Sequence, residues 1–210
     1  MSKHIHTLQY ITQGSASEQI KQVKEACEAG IHWIQLRLKN ASDLSLLKTA
    51  LEVKAICMEY NAVFIVNDHV HIALAVDADG VHLGKEDTDP ADARILLGPS
   101  KIIGGTANTF KDIEQLAKAG VDYIGLGPYR FTTTKEKLSP VLGTEGYVDI
   151  LLSMKKKNIT IPVIAIGGIQ SEDVAELMQT GLYGIAVSSA ITHSLNKQDM
   201  VQSFYASLKN

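Results

Sequence analysis

Short apolar runs alternate along the chain with longer stretches whose apolar residues recur at three- and four-residue spacing. The runs at 6–11, 32–37, 63–66, 80–83, 101–104, 122–126, 161–166 and 183–187 have strand length. The stretches at 16–29, 43–60, 69–75, 90–97, 109–119, 146–157, 171–180 and 198–208 have helix period. Helix 16–29 opens after Ser15 or Ser17 and closes at Gly30, a pairing of N-cap and C-cap residue types. Helix 171–180 opens on Ser-Glu-Asp and closes at Gly181 in the same way. The segments EAGIHWIQLR, KAGVDYIGLG and QTGLYGIAVS echo one another, each ending a helix on glycine and running into a strand; DADGVHLG is a weaker copy. Eight such units in 210 residues predict a parallel sheet closed as a (β/α)8 TIM barrel, a single domain over residues 1–210. The rival, an open doubly wound sheet, usually carries G-x-G-x-x-G after its first strand, where this chain has only Gly14.

A barrel of this kind builds its site from the C-terminal ends of its strands. Polar residues and glycines collect there: Gln35, Arg37 and Lys39 after the second strand, Asn67-Asp68-His69 after the third, HLGKED (82–87) after the fourth and GGTAN (104–108) after the fifth. GPYRFTTTKEK (127–137), Gly167-Gly168 and Ser188-Ser189 follow the last three. In WIQLRLKN (33–40), Gln35, Arg37 and Lys39 alternate with Ile34, Leu36 and Leu38, so the amide and both cations share one face. A closed barrel has no exposed edge to hold that face, and an unpaired interior charge is costly. The row therefore reads as an anion site, with the arginine fork and the lysine point charge both suited to phosphate.

Asp68 and Asp87 end neighbouring strands, expected about 4.8 Å apart, and could share one Mg2+. Glu86 is the alternative to Asp87, and a plain helix cap the alternative role for Asp68. The connection from Gly127 to Gly146 far exceeds the usual 2–6 residues. Its Thr132, Thr133, Thr134 and Lys135 offer hydroxyls, amides and a cation to a phosphate. Gly168, Ser188 and Ser189 lie where many barrels hold a phosphate on backbone amides.

Composition narrows the function classes. Hydrophobic residues make up 45% of the chain and charged residues 20%, enough apolar material for a large core. A net charge of −3 gives no footprint for nucleic acid or a membrane surface. No apolar run reaches membrane-span length and the N-terminus has no signal-peptide pattern, so a cytoplasmic location is expected. Cys27 and Cys57 form no CxxC and are expected as reduced, buried thiols. The histidines (His4, His6, His69, His71 and His82 among them) are not spaced as a zinc set. Lys155-Lys156-Lys157 suits a solvated helix end. No Ser-His-Asp or Cys-His set stands out, and homo-oligomerisation is left open.

QLRLK, VNDH, GVHLGKED, YIGLGPYRFTTTK, AIGGI and VSSAI follow one another in an order that resembles the thiamine phosphate synthases over nearly the whole chain. The resemblance implies a transferase that joins 4-amino-2-methyl-5-(diphosphooxymethyl)pyrimidine to 4-methyl-5-(2-phosphoethyl)thiazole, with Mg2+ as cofactor and diphosphate as leaving group. It further implies that Gln35, Arg37, Lys39, Asn67 and Lys135 hold the pyrimidine diphosphate and that Thr106 faces the pyrimidine. Lys135, Arg37 and Lys39 take the catalytic roles, and Asp68 and Asp87 bind the metal. Thr132, Thr133, Thr134, Gly168, Ser188 and Ser189 hold the thiazole phosphate. Three positions depart from the family pattern: Lys85 where glutamine is common, GGTAN in place of G-x-S-x-H, and Arg130-Phe131 where a proline is frequent. The rival activities are a thiazole tautomerase on the same barrel, which would be expected to carry a histidine where Asn108 stands, and a non-catalytic phosphate-ligand sensor.

Overall fold

The strand at Trp33–Leu36 buries both of its faces, and the rest of the architecture follows from that. A computed structural model describes residues 4–131 and 140–209. Thr132, Thr133, Thr134 and Lys135 of the expected phosphate loop lie outside the described residues. Eight parallel strands close into a barrel: β1 (Leu8–Ile11), β2 (Trp33–Leu36), β3 (Val63–Asn67), β4 (Gly80–Leu83), β5 (Ile102–Ala107), β6 (Tyr123–Leu126), β7 (Val163–Ile166) and β8 (Gly184–Val187). Each strand pairs with the next in sequence, and β1 returns to β8 with Leu8 opposite Ile185. Around them run α1 (Ala16–Glu28), α2 (Asp43–Glu59), α3 (Val70–Ala75), α4 (Pro90–Leu97), α5 (Phe110–Ala119), α6 (Gly143–Lys156), α7 (Val174–Gln179), the short α8 (Ser189–Thr192) and α9 (Lys197–Leu208).

Strand alternation sorts the core into two layers. Ile34, Leu36, Phe64, Val66, Val81 and Ile103 face outward and pack beneath the helices. Ile11, Trp33, Ile65, Ile102, Tyr123 and Ile164 fill the barrel interior. Trp33 meets Tyr123 edge to face, with ring centroids 4.9 Å apart. Gln35 lies on the face of Trp33, one step nearer the C-terminal rim, and is buried.

The helix starts carry the expected chemistry. Ser15 and Glu18 form a capping box on α1, with the Ser15 amide donating to Glu18 Oε2 at 2.7 Å. Thr109 and Asp112 do the same on α5. Most boundaries shift by one or two residues from the sequence reading, and four differences have a structural cause. β5 continues to Ala107 because Thr106 and Ala107 pair with Gly125 and Leu126. α6 begins at Gly143, three residues early, where the amides of Leu142 and Gly143 donate to Pro128 O and Tyr129 O and tie the long connection back to its own root. The 171–180 segment splits into a 3-10 turn at Ser171–Asp173 and α7, since the Asp173 carboxylate accepts the Gln170 amide at 2.8 Å. α8 follows Ser188 in a stretch not expected to be helical.

Cys27 and Cys57 are free, buried thiols on the adjacent helices α1 and α2. Among the described residues, no helix is long and apolar enough to cross a membrane. Trp33→Ala is expected to cost about 3–5 kcal/mol of stability, read from urea denaturation at unchanged slope. Trp33→Phe is expected to cost less, because it removes Nε1, which is buried without a hydrogen-bond partner among the described residues.

Candidate active site

All eight strands contribute to one cavity of about 410 Å3 at the C-terminal end of the barrel. Ten of the sequence-predicted site residues lie within the described part, and all ten line it: Gln35, Arg37, Lys39, Asn67, Asp68, Asp87, Thr106, Gly168, Ser188 and Ser189. The basic row and the acidic pair stand on one wall, carried by β2, β3 and β4 and the connections that follow them. The glycines and serines that follow β7 and β8 stand in the same cavity.

The acidic pair is the most constrained part. Asp68 takes φ +65°, a left-handed conformation uncommon outside glycine and asparagine. The turn is fixed on both sides: its amide donates to His82 O at 2.8 Å, and the His69 amide donates to Asn67 O at 2.8 Å. This aims the carboxylate into the cavity and not along α3, so the helix-cap role is not what the structure shows; His69 occupies the cap position. The Asp68 carboxyl contacts that of Asp87 and pairs with the Lys39 ammonium. Burial works against its charge, but the bonds from Asp87 and Lys39 hold it below the ordinary aspartate range. Burial and the contact with Asp68 push Asp87 up. The Gly84 amide donates to Asp87 Oδ2 at 2.6 Å, and a Cβ at Gly84 would come within 2.8 Å of the same oxygen. Asp87 therefore holds its proton more readily than Asp68 does, the expected asymmetry of two carboxylates in contact. A divalent ion fits this donor set: hard oxygens, two carboxylates, and an ammonium already drawn to one of them.

Below the charged wall runs a buried polar chain that the sequence patterns do not reveal. Gln35 Nε2 donates to Gln9 Oε1 at 3.1 Å, and Gln9 Nε2 donates to the Tyr123 hydroxyl at 3.3 Å. Tyr123 shares a 3.0 Å bond with His82 Nδ1, and His82 Nε2 shares a 3.0 Å bond with the Thr106 hydroxyl. Burial pushes the Tyr123 phenol up, so it stays protonated. The two imidazole nitrogens thereby tie the Tyr123 and Thr106 hydroxyls together. Gly104 makes room for this chain: a Cβ there would lie 2.2 Å from Tyr123 Cζ and 2.6 Å from His82 Nδ1. The paired glycines of GGTAN were the only sequence signal of it.

The three departures find structural partners. Lys85 pairs with Asp112 at 2.7 Å, so its ammonium is drawn toward the start of α5 and not onto Asp87. Asn108 donates its side-chain amide to Gly127 O. Arg130 pairs with Asp173 at 2.7 Å, packs over the Tyr129 ring and donates to Gly168 O at 3.4 Å. Gly168, at φ +72°, leaves space for it; a Cβ would lie 2.6 Å from Arg130 Cγ. The root of the long connection is thereby clamped onto the glycine turn after β7. Ser188 donates to Gln13 Oε1 at 3.3 Å, linking the end of β8 to the loop after β1.

A closed parallel barrel with anion-binding groups and a carboxylate pair gathered at its C-terminal mouth is a phosphate-handling TIM-barrel enzyme. Comparison with known proteins makes this specific. The thiamine monophosphate synthase family profile matches residues 8–191. The thiamine-phosphate synthase of Flavobacterium johnsoniae is 52% identical over 196 residues, covering 93% of this chain and 92% of that protein. That of Bacteroides thetaiotaomicron is 50% identical over 186 residues, covering 88% and 89%. The solved thiamine phosphate pyrophosphorylase of Pyrococcus furiosus superposes with a TM-score of 0.84 at 33% identity, covering 97% of this chain and 95% of that one. The chain belongs to the thiamine monophosphate synthase family, and is a transferase of thiamine biosynthesis.

Gly104→Ala is expected to destabilise the fold by about 1–3 kcal/mol through overpacking. Displacement of His82 and Thr106 is expected to raise KM for the pyrimidine substrate, measured by steady-state kinetics alongside urea denaturation.

Proposed function

We propose that the chain joins 4-amino-2-methyl-5-(diphosphooxymethyl)pyrimidine to 4-methyl-5-(2-phosphoethyl)thiazole, releasing inorganic diphosphate with Mg2+ bound at Asp68 and Asp87. The observation that carries this reading is the convergence of Gln35, Arg37, Lys39, Asn67, Asp68 and Asp87 on one cavity wall. When bound, Mg2+ neutralises charge on the diphosphate and makes it a better leaving group.

Asp68 and Asp87 would supply the oxygens that hold the ion. Lys39, whose ammonium pairs with Asp68, adds a point charge for the phosphates. Arg37 presents its fork to phosphate oxygens, while Gln35 and Asn67, both buried, supply neutral amide donors. Lys135 adds a second ammonium from the long connection. The C–O bond of the pyrimidine substrate breaks, and its electron pair leaves with diphosphate. The pyrimidine methyl cation that remains is stabilised by the ring amino group, and the thiazole nitrogen lone pair forms the new C–N bond. No proton transfer is required, in keeping with a pocket that offers no activated nucleophile. Thr106, oriented by the Gln35–Gln9–Tyr123–His82 chain, meets the pyrimidine and helps position its ring. Gly168, Ser188 and Ser189, with Thr132, Thr133 and Thr134, hold the thiazole phosphate.

The Asn108 amide is committed to Gly127 O, a scaffold bond, which weighs against the tautomerase role expected of a histidine there. Small-molecule substrates and a biosynthetic role agree with a cytoplasmic enzyme.

Diphosphate release assayed with both heterocycles tests the reading: release is expected with Mg2+ and lost with a chelator. Release without metal, or proton exchange on the thiazole alone, contradicts it. Asp68→Asn keeps a residue that tolerates positive φ and removes the charge, so it is expected to lower kcat about a hundredfold or more with the fold intact. Lys135→Ala is expected to lower turnover by orders of magnitude in the same assay. Near-normal activity in either variant removes the role assigned to that residue.

A further inference from the structure

We propose that Asp43, His69 and His71 form a second cation site, suited to a late first-row divalent ion such as Zn2+, beside the carboxylate pair. Asp43 is the first residue of α2, His69 precedes α3, and His71 is its second residue. One ligand atom from each lies within 4.8 Å of the other two. His71 Nε2 stands 3.2 Å from Asp43 Oδ2, and the rings of His69 and His71 meet nearly at right angles with centroids 5.7 Å apart.

Metal–nitrogen and metal–oxygen bonds of about 2.0–2.1 Å in a tetrahedral site place ligand atoms roughly 3.3 Å apart. The His71–Asp43 pair already has that spacing, and the third ligand needs to close by at most about 1.5 Å. Asp43 and His71 are exposed, so side-chain rotation supplies the movement without repacking a core. Two imidazoles and one carboxylate favour Zn2+ over Mg2+, which prefers oxygen ligands alone. The two histidines line a cleft of about 390 Å3 whose wall also carries Asp68, Glu86 and Asp87, giving an entering cation a negative surface. Three protein ligands leave a fourth position for water.

No zinc-type spacing is visible in the sequence, because the third ligand lies 26 residues before His69 on a different element. The site bridges the connections after β2 and β3, which carry Lys39 and Asp68, so a bound ion holds those two segments together. It stands whether or not the substrate assignment does.

The test is calorimetric titration of Zn2+ into the metal-free, full-length protein in excess Mg2+, with thermal melting and Co2+ visible spectra in parallel. The wild type is expected to bind Zn2+, melt at higher temperature with it, and give the strong visible bands of low-coordinate Co2+. His71→Ala and Asp43→Asn are expected to bind at least about tenfold more weakly and to lose the spectrum, while their Mg2+-supported turnover without zinc matches the wild type. Asp87→Asn is expected to retain zinc binding, which separates this site from the magnesium pair. Equal Zn2+ affinity in the wild type and His71→Ala overturns the proposal. So does abolition of binding by excess Mg2+ or by Asp87→Asn.

Discussion

Two carboxylates in contact at the mouth of a barrel raise the cost of each other's charge, and a cation beside them lowers it. Asp68 and Asp87 are held in that contact by backbone that has little freedom to relax. Asp68 is fixed in a left-handed turn bonded to β4, and Asp87 is fixed by the Gly84 amide. The Lys39 ammonium, paired with Asp68, offsets part of that cost. The backbone thus sets the acidic pair and the basic row side by side on one cavity wall.

The barrel makes this affordable in structural terms. Its helix-facing layer and inner layer are both largely apolar, and the buried polar side chains of the interior are bonded to one another. The bonded chain runs from Gln35 to Thr106 and leaves few unmet donors under the site. Glycines set the clearances: Gly104 admits Tyr123 and His82, and Gly168 admits Arg130. On the far side, Arg130 fastens the start of the long connection to the turn after β7, and Leu142 and Gly143 fasten its end. Both ends of that segment are thus anchored at the cavity rim.

Much of this was legible in the sequence, for reasons that are local. Strand alternation put Gln35, Arg37 and Lys39 on one face, and the alternation of apolar runs with helix-period stretches counted eight units. Closure of the barrel then brings residues as far apart as Arg37 and Ser189 to one cavity. What stayed hidden depends on contacts between distant segments. The Gln9–Tyr123 bond spans 114 positions, and nothing local to either residue points to the other. Glycine-rich GGTA did not read as strand to its end, because its small residues are explained by Tyr123 and His82, not by strand propensity. Lys85 looked like a cation beside the metal pair until Asp112, on the next helix, was seen to hold it. The cap reading of Asp68 failed because its φ turns the carboxylate away from α3.

The most direct test of the central claim is calorimetric binding of inorganic diphosphate to the ligand-free protein, with and without Mg2+. Affinity at least about tenfold higher with Mg2+, and indifference to Mg2+ once Asp87 is replaced by asparagine, is the predicted result. Diphosphate binding that is equally tight with and without the metal in the wild type would mean that the acidic pair and the basic row do not act on one anion, and would contradict the account.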